Sequence, residues 1–89
     1  MDNDEIRNAL ITTLEEIQIN SGRVLPEIND LTRPLEDLPG FDSINAVEAS
    51  ILLSEHLGCE VAPDIAIFAR FGRPLTIAEI INQLFDLIK

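Results

Sequence analysis

The sequence has little cationic charge and a single cysteine. Six lysine and arginine residues stand against sixteen aspartates and glutamates, so the formal net charge is −10. Nucleic acids and anionic membranes would repel such a chain over a Debye length of ~10 Å, and we expect neither as a partner. With Cys59 alone, no internal disulfide can form. The fold must therefore be held by packing, as a reducing compartment allows.

The chain also lacks a long apolar run. No stretch reaches the roughly 18 uncharged apolar residues that a membrane-spanning helix needs. The first residues, Met1 to Glu5, are acidic where a signal peptide would be basic. We therefore expect a cytoplasmic protein without a membrane span. At 89 residues and 46% hydrophobic content, the chain has the length for one domain, residues 1–89, with a modest core.

Motifs of common catalytic and metal sites are missing as well. His56 and Cys59 lie three residues apart, but no other histidine or cysteine is present to complete a metal set. No Gly-x-Ser-x-Gly elbow and no EF-hand loop occurs in the sequence. We therefore expect neither a metal nor an enzymatic activity.

What the sequence does contain is helical periodicity. A first helix is predicted from Asp4 to Ile19. Its apolar stripe consists of Ile6, Leu10, Leu14 and Ile17. A second helix is predicted from Ser43 to about Leu57, with Asp42 as N-cap and Gly58 after the last turn.

Two further helices are predicted towards the C-terminal end. The run from Asp64 to Phe71 has the pattern of a short helix, in which Ile65 and Phe68 would pack inward. The last helix opens with Thr76-Ile77-Ala78-Glu79, a capping-box pattern, and continues to Ile88 at helical spacing. No alternation typical of a strand was found.

Between the first two helices, a long loop is predicted from Arg23 to Phe41, because three prolines and a glycine interrupt any helix there. Its regularly spaced apolar residues, which predict packing across the helices, are Leu25, Ile28, Leu31, Leu35 and Leu38. The predicted fold is all-α, a four-helix bundle with three long helices, one short third helix and this loop.

The second helix is predicted to have an acidic face. One apolar line consists of Ile44, Val47 and Ile51, and an adjacent one of Ala46, Leu53 and Leu57. The remaining face holds Asn45, Glu48 and Glu55. Nine acidic residues occur between Glu27 and Asp64, against Arg33 alone. Basic protein surfaces are the expected partners, with a long-ranged and salt-sensitive attraction.

Asp42 and Ser43 stand at the start of this helix. Both residue types are good N-caps, so the pair by itself is common at helix starts. The first N–H groups of a helix lack intrahelical partners and lie at the positive end of its dipole. A phosphate attached to Ser43 would therefore be stabilised there.

The segment Gly40-Phe41-Asp42-Ser43-Ile44-Asn45-Ala46-Val47-Glu48 resembles the acyl carrier protein motif, in which an Asp-Ser-Leu triplet opens the second helix and a Val-Glu pair follows. Length, acidity, the long first loop, Gly58, the Pro63-Asp64 helix start and the final helix are similar too. The resemblance implies that Ser43 receives 4′-phosphopantetheine from coenzyme A through a phosphodiester bond. The thiol of that arm would hold an acyl chain as a thioester.

The resemblance also implies partners and further site residues. A phosphopantetheinyl transferase is expected to read Asp42, and basic patches of acyl-loading and acyl-transfer enzymes are expected to dock on the second helix. The residues that would contact these partners are Ile44, Glu48 and Glu55. Those expected to be core, or to line a cleft sheltering the acyl chain, are Ala46, Ile51, Val61, Ile65 and Phe68. The carrier is expected to be a monomer.

Departures from the family pattern bear on the pathway. Asn45 stands where fatty-acid carriers commonly have an acid, and Ser54 and His56 replace part of the acidic cluster. These differences favour a specialised pathway, and a free-standing carrier is expected because the chain has no adjoining catalytic domain. The partner enzymes are expected to belong to fatty-acid, lipid or secondary-metabolite synthesis, such as polyketide synthesis. The alternatives are an aminoacyl or peptidyl carrier of the same fold, in which Asp-Ser-Ile is a frequent triplet, and an unmodified acidic helical interaction domain.

Overall fold

The computed structural model describes residues 2–58, 60, 61 and 67–88. Within them the chain is mostly helical and includes one small antiparallel sheet. The elements are α1 (Asn3–Asn20), α2 (Pro34–Asp37), α3 (Ser43–Leu57), β1 (Ala69–Arg70), β2 (Arg73–Pro74) and α4 (Ile77–Ile88). Helix α1 packs against both α3 and α4, so the three long helices share a core. The predicted helical class is confirmed.

Helix α1 follows its predicted bounds to within one residue at each end. Its N-cap is Asp2, whose carboxylate accepts a 2.9 Å hydrogen bond from Glu5 N. The predicted apolar stripe is entirely buried and consists of Ile6, Leu10, Leu14 and Ile17. Gln18 is buried beside this stripe, although it is polar.

The connection from Arg23 to Phe41 is not the uninterrupted loop that was predicted, because α2 forms within it. Pro34 begins this helix at a position where its missing N–H costs no hydrogen bond. Leu38 is buried as expected, whereas Leu31 is 80% exposed and does not pack. The prediction of a packed loop is therefore right for part of the segment and wrong at Leu31.

This loop supplies hydrogen-bond acceptors to the start of α4. Ile77 N donates to the Thr32 carbonyl at 2.8 Å, and Ala78 N donates to the Asp30 carbonyl at 3.1 Å. These two N–H groups belong to the first turn of α4, where no carbonyl of the helix itself can reach them. The loop is thereby fixed across the end of α4.

Helix α3 has the predicted bounds and ends where Gly58 adopts the left-handed conformation. Its buried residues include one predicted line, Ala46, Leu53 and Leu57. The other predicted line, Ile44, Val47 and Ile51, is largely exposed instead. Asn45 was assigned to the polar outer face, but it is only 9% exposed.

The short helix predicted from Asp64 to Phe71 is wrong over its last residues. Ala69 and Arg70 form β1, which pairs with β2 so that Ala69 lies opposite Pro74 and Arg70 opposite Arg73. Residues 64–66 lie outside the described part of the chain. The expectation that no strand would occur is therefore also wrong, although each strand has only two residues.

A two-residue turn, Phe71-Gly72, connects the two strands. Both residues have positive φ, 53° for Phe71 and 74° for Gly72, as a type I′ turn requires. Phe71 is 92% exposed.

Helix α4 begins with the predicted capping box. Thr76 N donates to Glu79 Oε1 at 2.9 Å, and Glu79 N donates to Thr76 Oγ1 at 3.2 Å. The Thr76 backbone N–H lowers the pKa of Glu79 below its usual range, and the Thr76 hydroxyl and the charges of Arg33 and Arg73 act in the same direction. The side chains that α4 buries are Ile77, Ile80, Ile81 and Leu84. None of the helices in the described residues has the length and apolarity to cross a membrane.

Candidate functional site

Ser43 is the first residue of α3, and it is exposed. The preceding residue, Asp42, has an extended backbone and is the N-cap. Its Oδ1 accepts hydrogen bonds from Ile44 N at 3.0 Å and Asn45 N at 3.1 Å. Its carbonyl accepts the first helical hydrogen bond, from Ala46 N at 2.9 Å. The cap thus fixes where the helix starts and leaves the Ser43 hydroxyl accessible.

The Asp42 cap changes the argument for a phosphate at this helix end. The N–H groups of Ile44 and Asn45 would be the natural donors for a phosphate on Ser43, but they already donate to Asp42. The dipole of the helix still favours negative charge here. Any group on Ser43 would therefore feel the field of the helix without these two hydrogen bonds.

A buried polar network supports the segment that leads into Ser43. The Gln18 amide donates from Nε2 to the Pro39 carbonyl at 2.9 Å, and Gln18 is fully buried. Arg23 donates from Nη1 to Asn45 Oδ1 at 2.9 Å. These bonds join α1, the loop and the first turn of α3, and a satisfied buried network of this kind holds backbone in place.

Sequence reasoning missed Gln18 and Arg23 as supporting residues. The signal for Gln18 was its position next to the buried stripe of α1, where a polar side chain needs a partner. Gly40 offered a second signal. It has φ +74°, and a Cβ placed on it would lie 2.6 Å from Arg23 Nε. The loop therefore passes so close to Arg23 that a Cβ at residue 40 would require the Arg23 side chain to shift.

The outer face of α3 combines apolar and acidic side chains. Ile44 is 75% exposed and Ile51 is 51% exposed, and Val47 is the partly covered residue between them. Glu48 and Glu55, both exposed, follow Ile44 and Ile51 by four residues each. The helical spacing of 44, 48, 51 and 55 places all four on one side of the helix. We call Ile44, Val47, Glu48, Ile51 and Glu55 the α3 surface.

The residues predicted for an acyl cleft are not all together. Ala46, Val61 and Phe68 are buried in the core, where Phe68 packs edge-to-face on Phe41 with ring centroids 5.6 Å apart. Ile51 is half exposed on the α3 surface, so its expected place in the core is wrong. Ile65 lies outside the described residues. Cavities of about 450 and 350 Å³ lie along the hairpin and α4, and their described lining includes neither Ala46, Ile51, Val61 nor Phe68.

Ser54 and His56, which replace acids of the family pattern, make contacts inside the protein. Ser54 Oγ accepts from Val61 N at 2.8 Å and so ties the end of α3 to the segment that follows. His56 Nε2 lies 3.2 Å from Glu16 Oε1 on α1. No cluster of three or more potential metal ligands occurs within the described residues, and Cys59 is not among those residues.

The geometry combines one exposed serine at a fixed helix start with an acidic and apolar face on the same helix. This chain matches no protein-family model, no curated protein and no solved structure. Its function must therefore be inferred from the site.

Proposed function

We propose that the chain is an acyl carrier protein whose Ser43 bears 4′-phosphopantetheine. In the loading step, the Ser43 oxygen forms a phosphodiester bond with the pantetheine phosphate of coenzyme A. The phosphoanhydride bond of coenzyme A breaks, adenosine 3′,5′-bisphosphate leaves, and the transferase accepts the hydroxyl proton. The arm supplies a thiol that carries an acyl chain as a thioester, and the chain itself performs no catalysis.

The observation that carries this proposal is the exposure of Ser43 at the first residue of a helix whose start is fixed by Asp42. A transferase needs a hydroxyl that it can reach and a defined backbone around it. The Asp42 cap and the hydrogen bond from Arg23 to Asn45 hold the backbone around Ser43 in a defined conformation. Because Ser43 is exposed, there is room for a 4′-phosphopantetheine arm on its oxygen, so the site fits this group.

The α3 surface supports the second part of the proposal, which is recognition by basic enzymes. Glu48 and Glu55 attract positively charged patches over long range and accelerate encounter. The exposed Ile44 and Ile51 beside them give short-range apolar contacts once the partner has arrived. A tethered cargo is then delivered at high effective concentration. Partners would include the phosphopantetheinyl transferase and acyl-loading and acyl-transfer enzymes of fatty-acid, lipid or secondary-metabolite synthesis.

The proposal extends to the arrangement of the helices and to the setting. We assign α1, α3 and α4 as the three long helices of a carrier-type bundle. The resemblance of residues 40–48 to the carrier motif supports this assignment, as do the contacts of α1 with both other helices. The chain would act as a monomer in the cytoplasm.

The deciding experiment measures the intact mass of the chain after incubation with coenzyme A and a broad-specificity phosphopantetheinyl transferase. We expect the mass to rise by one phosphopantetheine in the parent chain and not in Ser43→Ala. Ser21→Ala is a matched control, because Ser21 is also an exposed serine at a helix end. That variant should load like the parent.

Two results would contradict the proposal. One is loading of Ser43→Ala, which would place the modification elsewhere. The other is the absence of loading by several transferases that modify a known carrier in the same reaction mixture. Circular dichroism of Ser43→Ala should match the parent, because an exposed hydroxyl contributes little to the helix.

A second candidate is an unmodified interaction domain. The α3 surface favours it, because three exposed apolar side chains beside two acids can bind a basic partner without any arm. The mass experiment separates the two candidates. If Ser43 stays unmodified while the α3 surface still binds a basic partner, the interaction domain is the better description.

A further inference from the structure

We propose that the β1–β2 hairpin, with Arg33 beside it, is a docking surface for an acidic segment of a partner protein that also presents an apolar side chain. We call Arg33, Arg70, Phe71 and Arg73 the hairpin surface. The proposal goes beyond the carrier function and does not depend on it, because the hairpin surface includes neither Ser43 nor any residue of α3.

Phe71 at the tip of the hairpin is the first observation. It is 92% exposed and has a φ of 53°. Bulky side chains disfavour this left-handed conformation, and the equivalent position of a type I′ turn is commonly asparagine. Neither burial nor backbone preference therefore accounts for a phenylalanine here. Strain of this kind is often found where a residue acts on something outside the fold.

The arginines around Phe71 are the second observation. The guanidinium of Arg70 lies 5.6 Å from the centroid of the Phe71 ring, and both Arg70 and Arg73 are exposed. Arg33 joins them by donating from Nη1 to the Pro74 carbonyl at 2.7 Å. A cavity of about 200 Å³ is lined by side chains that include all three arginines and Phe71.

This clustering stands out against the charge of the whole chain. Three of six cationic residues meet at one hairpin in a protein of net charge −10. The two other arginines make contacts within the chain, since Arg7 forms an ion pair with Asp30 and Arg23 donates to Asn45. Among the described residues that line the hairpin cavity the acid is Glu79, which lies 3.7 Å from Arg33 Nη1, so Arg70 and Arg73 carry the positive charge that remains unpaired by it.

Charge complementarity selects the partner. Arginine guanidinium groups bind carboxylates through paired hydrogen bonds. Clusters of arginine and aromatic side chains are also typical of interface hot spots. An extended anionic surface, such as a membrane or a nucleic acid, would also repel the acidic remainder of the molecule. A short acidic segment of a protein interacts mainly with charges within a Debye length of ~10 Å, and in the described lining of the hairpin cavity three arginines accompany one acid, Glu79.

The test is an NMR titration of the isotope-labelled, unmodified chain with a defined peptide, acetyl-Asp-Leu-Asp-Phe-Asp-amide. We expect saturable shifts in the amide resonances of residues 69–75, and a weaker response at high salt. A peptide with glycine in place of leucine and phenylalanine should bind more weakly. A peptide with lysine in place of aspartate should not shift these resonances.

Variants separate binding from folding. Phe71→Asn should weaken the peptide affinity about tenfold, as expected for loss of a hot-spot aromatic. It should not lower the melting temperature, because asparagine suits a positive φ. Leu31→Asn, which alters another highly exposed apolar side chain, should leave the affinity unchanged. The double variant Arg70→Gln with Arg73→Gln should strongly reduce the salt dependence of binding, because of the three arginines it leaves only Arg33.

Several results would overturn the proposal. These are an equal response to the lysine peptide, shifts confined to α3, and no response of residues 69–75 to the acidic peptide. Shifts at the hairpin that depend only on chain concentration would assign it to self-association instead. Tighter binding to phosphatidylglycerol vesicles than to the peptide would assign it to a membrane. Because the unmodified chain is used, failure of Ser43 to load has no influence on these outcomes.

Discussion

The Arg23 guanidinium donates a 2.9 Å hydrogen bond to Asn45 Oδ1 and thereby connects the start of the long loop to the first turn of α3. Asn45 occupies a position where an acid would place its charge close to Ser43. Here the side chain is an internal acceptor, only 9% exposed. The asparagine at residue 45 therefore has a structural role in this chain.

Replacing Asn45 with alanine should destabilise the protein by about 1–3 kcal/mol, because a half-buried guanidinium loses its 2.9 Å acceptor and keeps only the longer bond to Gln18 Oε1 at 3.4 Å. Urea unfolding of Asn45→Ala measures this loss. Asn45→Asp retains an acceptor and adds an opposite charge, so it should be at least as stable as the parent. An unchanged urea midpoint for Asn45→Ala would show that the Arg23 contact contributes nothing.

Replacing Gly40 with alanine should be more destabilising than the same change at Gly22. Both glycines have positive φ, +74° and +69°, so the backbone penalty of about 1 kcal/mol is shared. Only at Gly40 does the added Cβ meet another group, Arg23 Nε at 2.6 Å. The difference between the two melting temperatures isolates the close approach of the loop to Arg23, and equal losses would contradict it.

The role proposed for Glu48 predicts an electrostatic effect without a stability effect. Glu48→Lys should lower kcat/KM for loading by the transferase about tenfold at low salt, and less at high salt. Its melting temperature should stay the same, because Glu48 is exposed. Glu27→Lys makes the same change of charge at an exposed loop position and serves as the control. If both variants slow loading equally, net charge and not the α3 surface is responsible.

The capping box of α4 predicts a dependence of stability on pH. The folded pKa of Glu79 lies below its unfolded value, about 4.3, because the Thr76 N–H favours the carboxylate. Glu79 thus contributes stability above that pH, and the contribution is lost as pH falls through the folded pKa. Glu79→Gln keeps the hydrogen bonds but not the titration, so its melting temperature should fall less on acidification. Parallel acid curves for parent and variant would contradict this.

Local signals accounted for much of the fold. The starts of α3 and α4 were predicted because Asp42 and Thr76 are caps whose partners lie within three residues. The buried stripe of α1 followed from spacing alone. Candidate site residues at the start of α3 could be placed for the same reason, since a helix start depends on few neighbouring residues.

Features that depend on distant contacts were not predicted. Arg23, the hydrogen-bond partner of Asn45, is 22 residues away in the chain. The spacing of residues within α3 therefore does not indicate that Asn45 is buried. Helix α3 has two adjacent apolar lines, and their spacing alone does not show which of them faces the core. The prediction that Ile51 lies in the core is therefore wrong. The hairpin was missed because strands of two residues are too short to show alternation, and because Phe71 is not a typical turn residue.

The cap at Asp42 has a further consequence for anything attached to its neighbour. Because the carboxylate has already engaged the amides of Ile44 and Asn45, a group on Ser43 finds neither of these anchors at its base. An arm attached to the Ser43 oxygen by a single covalent bond would rotate about that bond and would not be held against the helix end. The direction of the arm would then be set by the enzyme that binds the chain. The proposed carrier could therefore present the same cargo to active sites of different shapes.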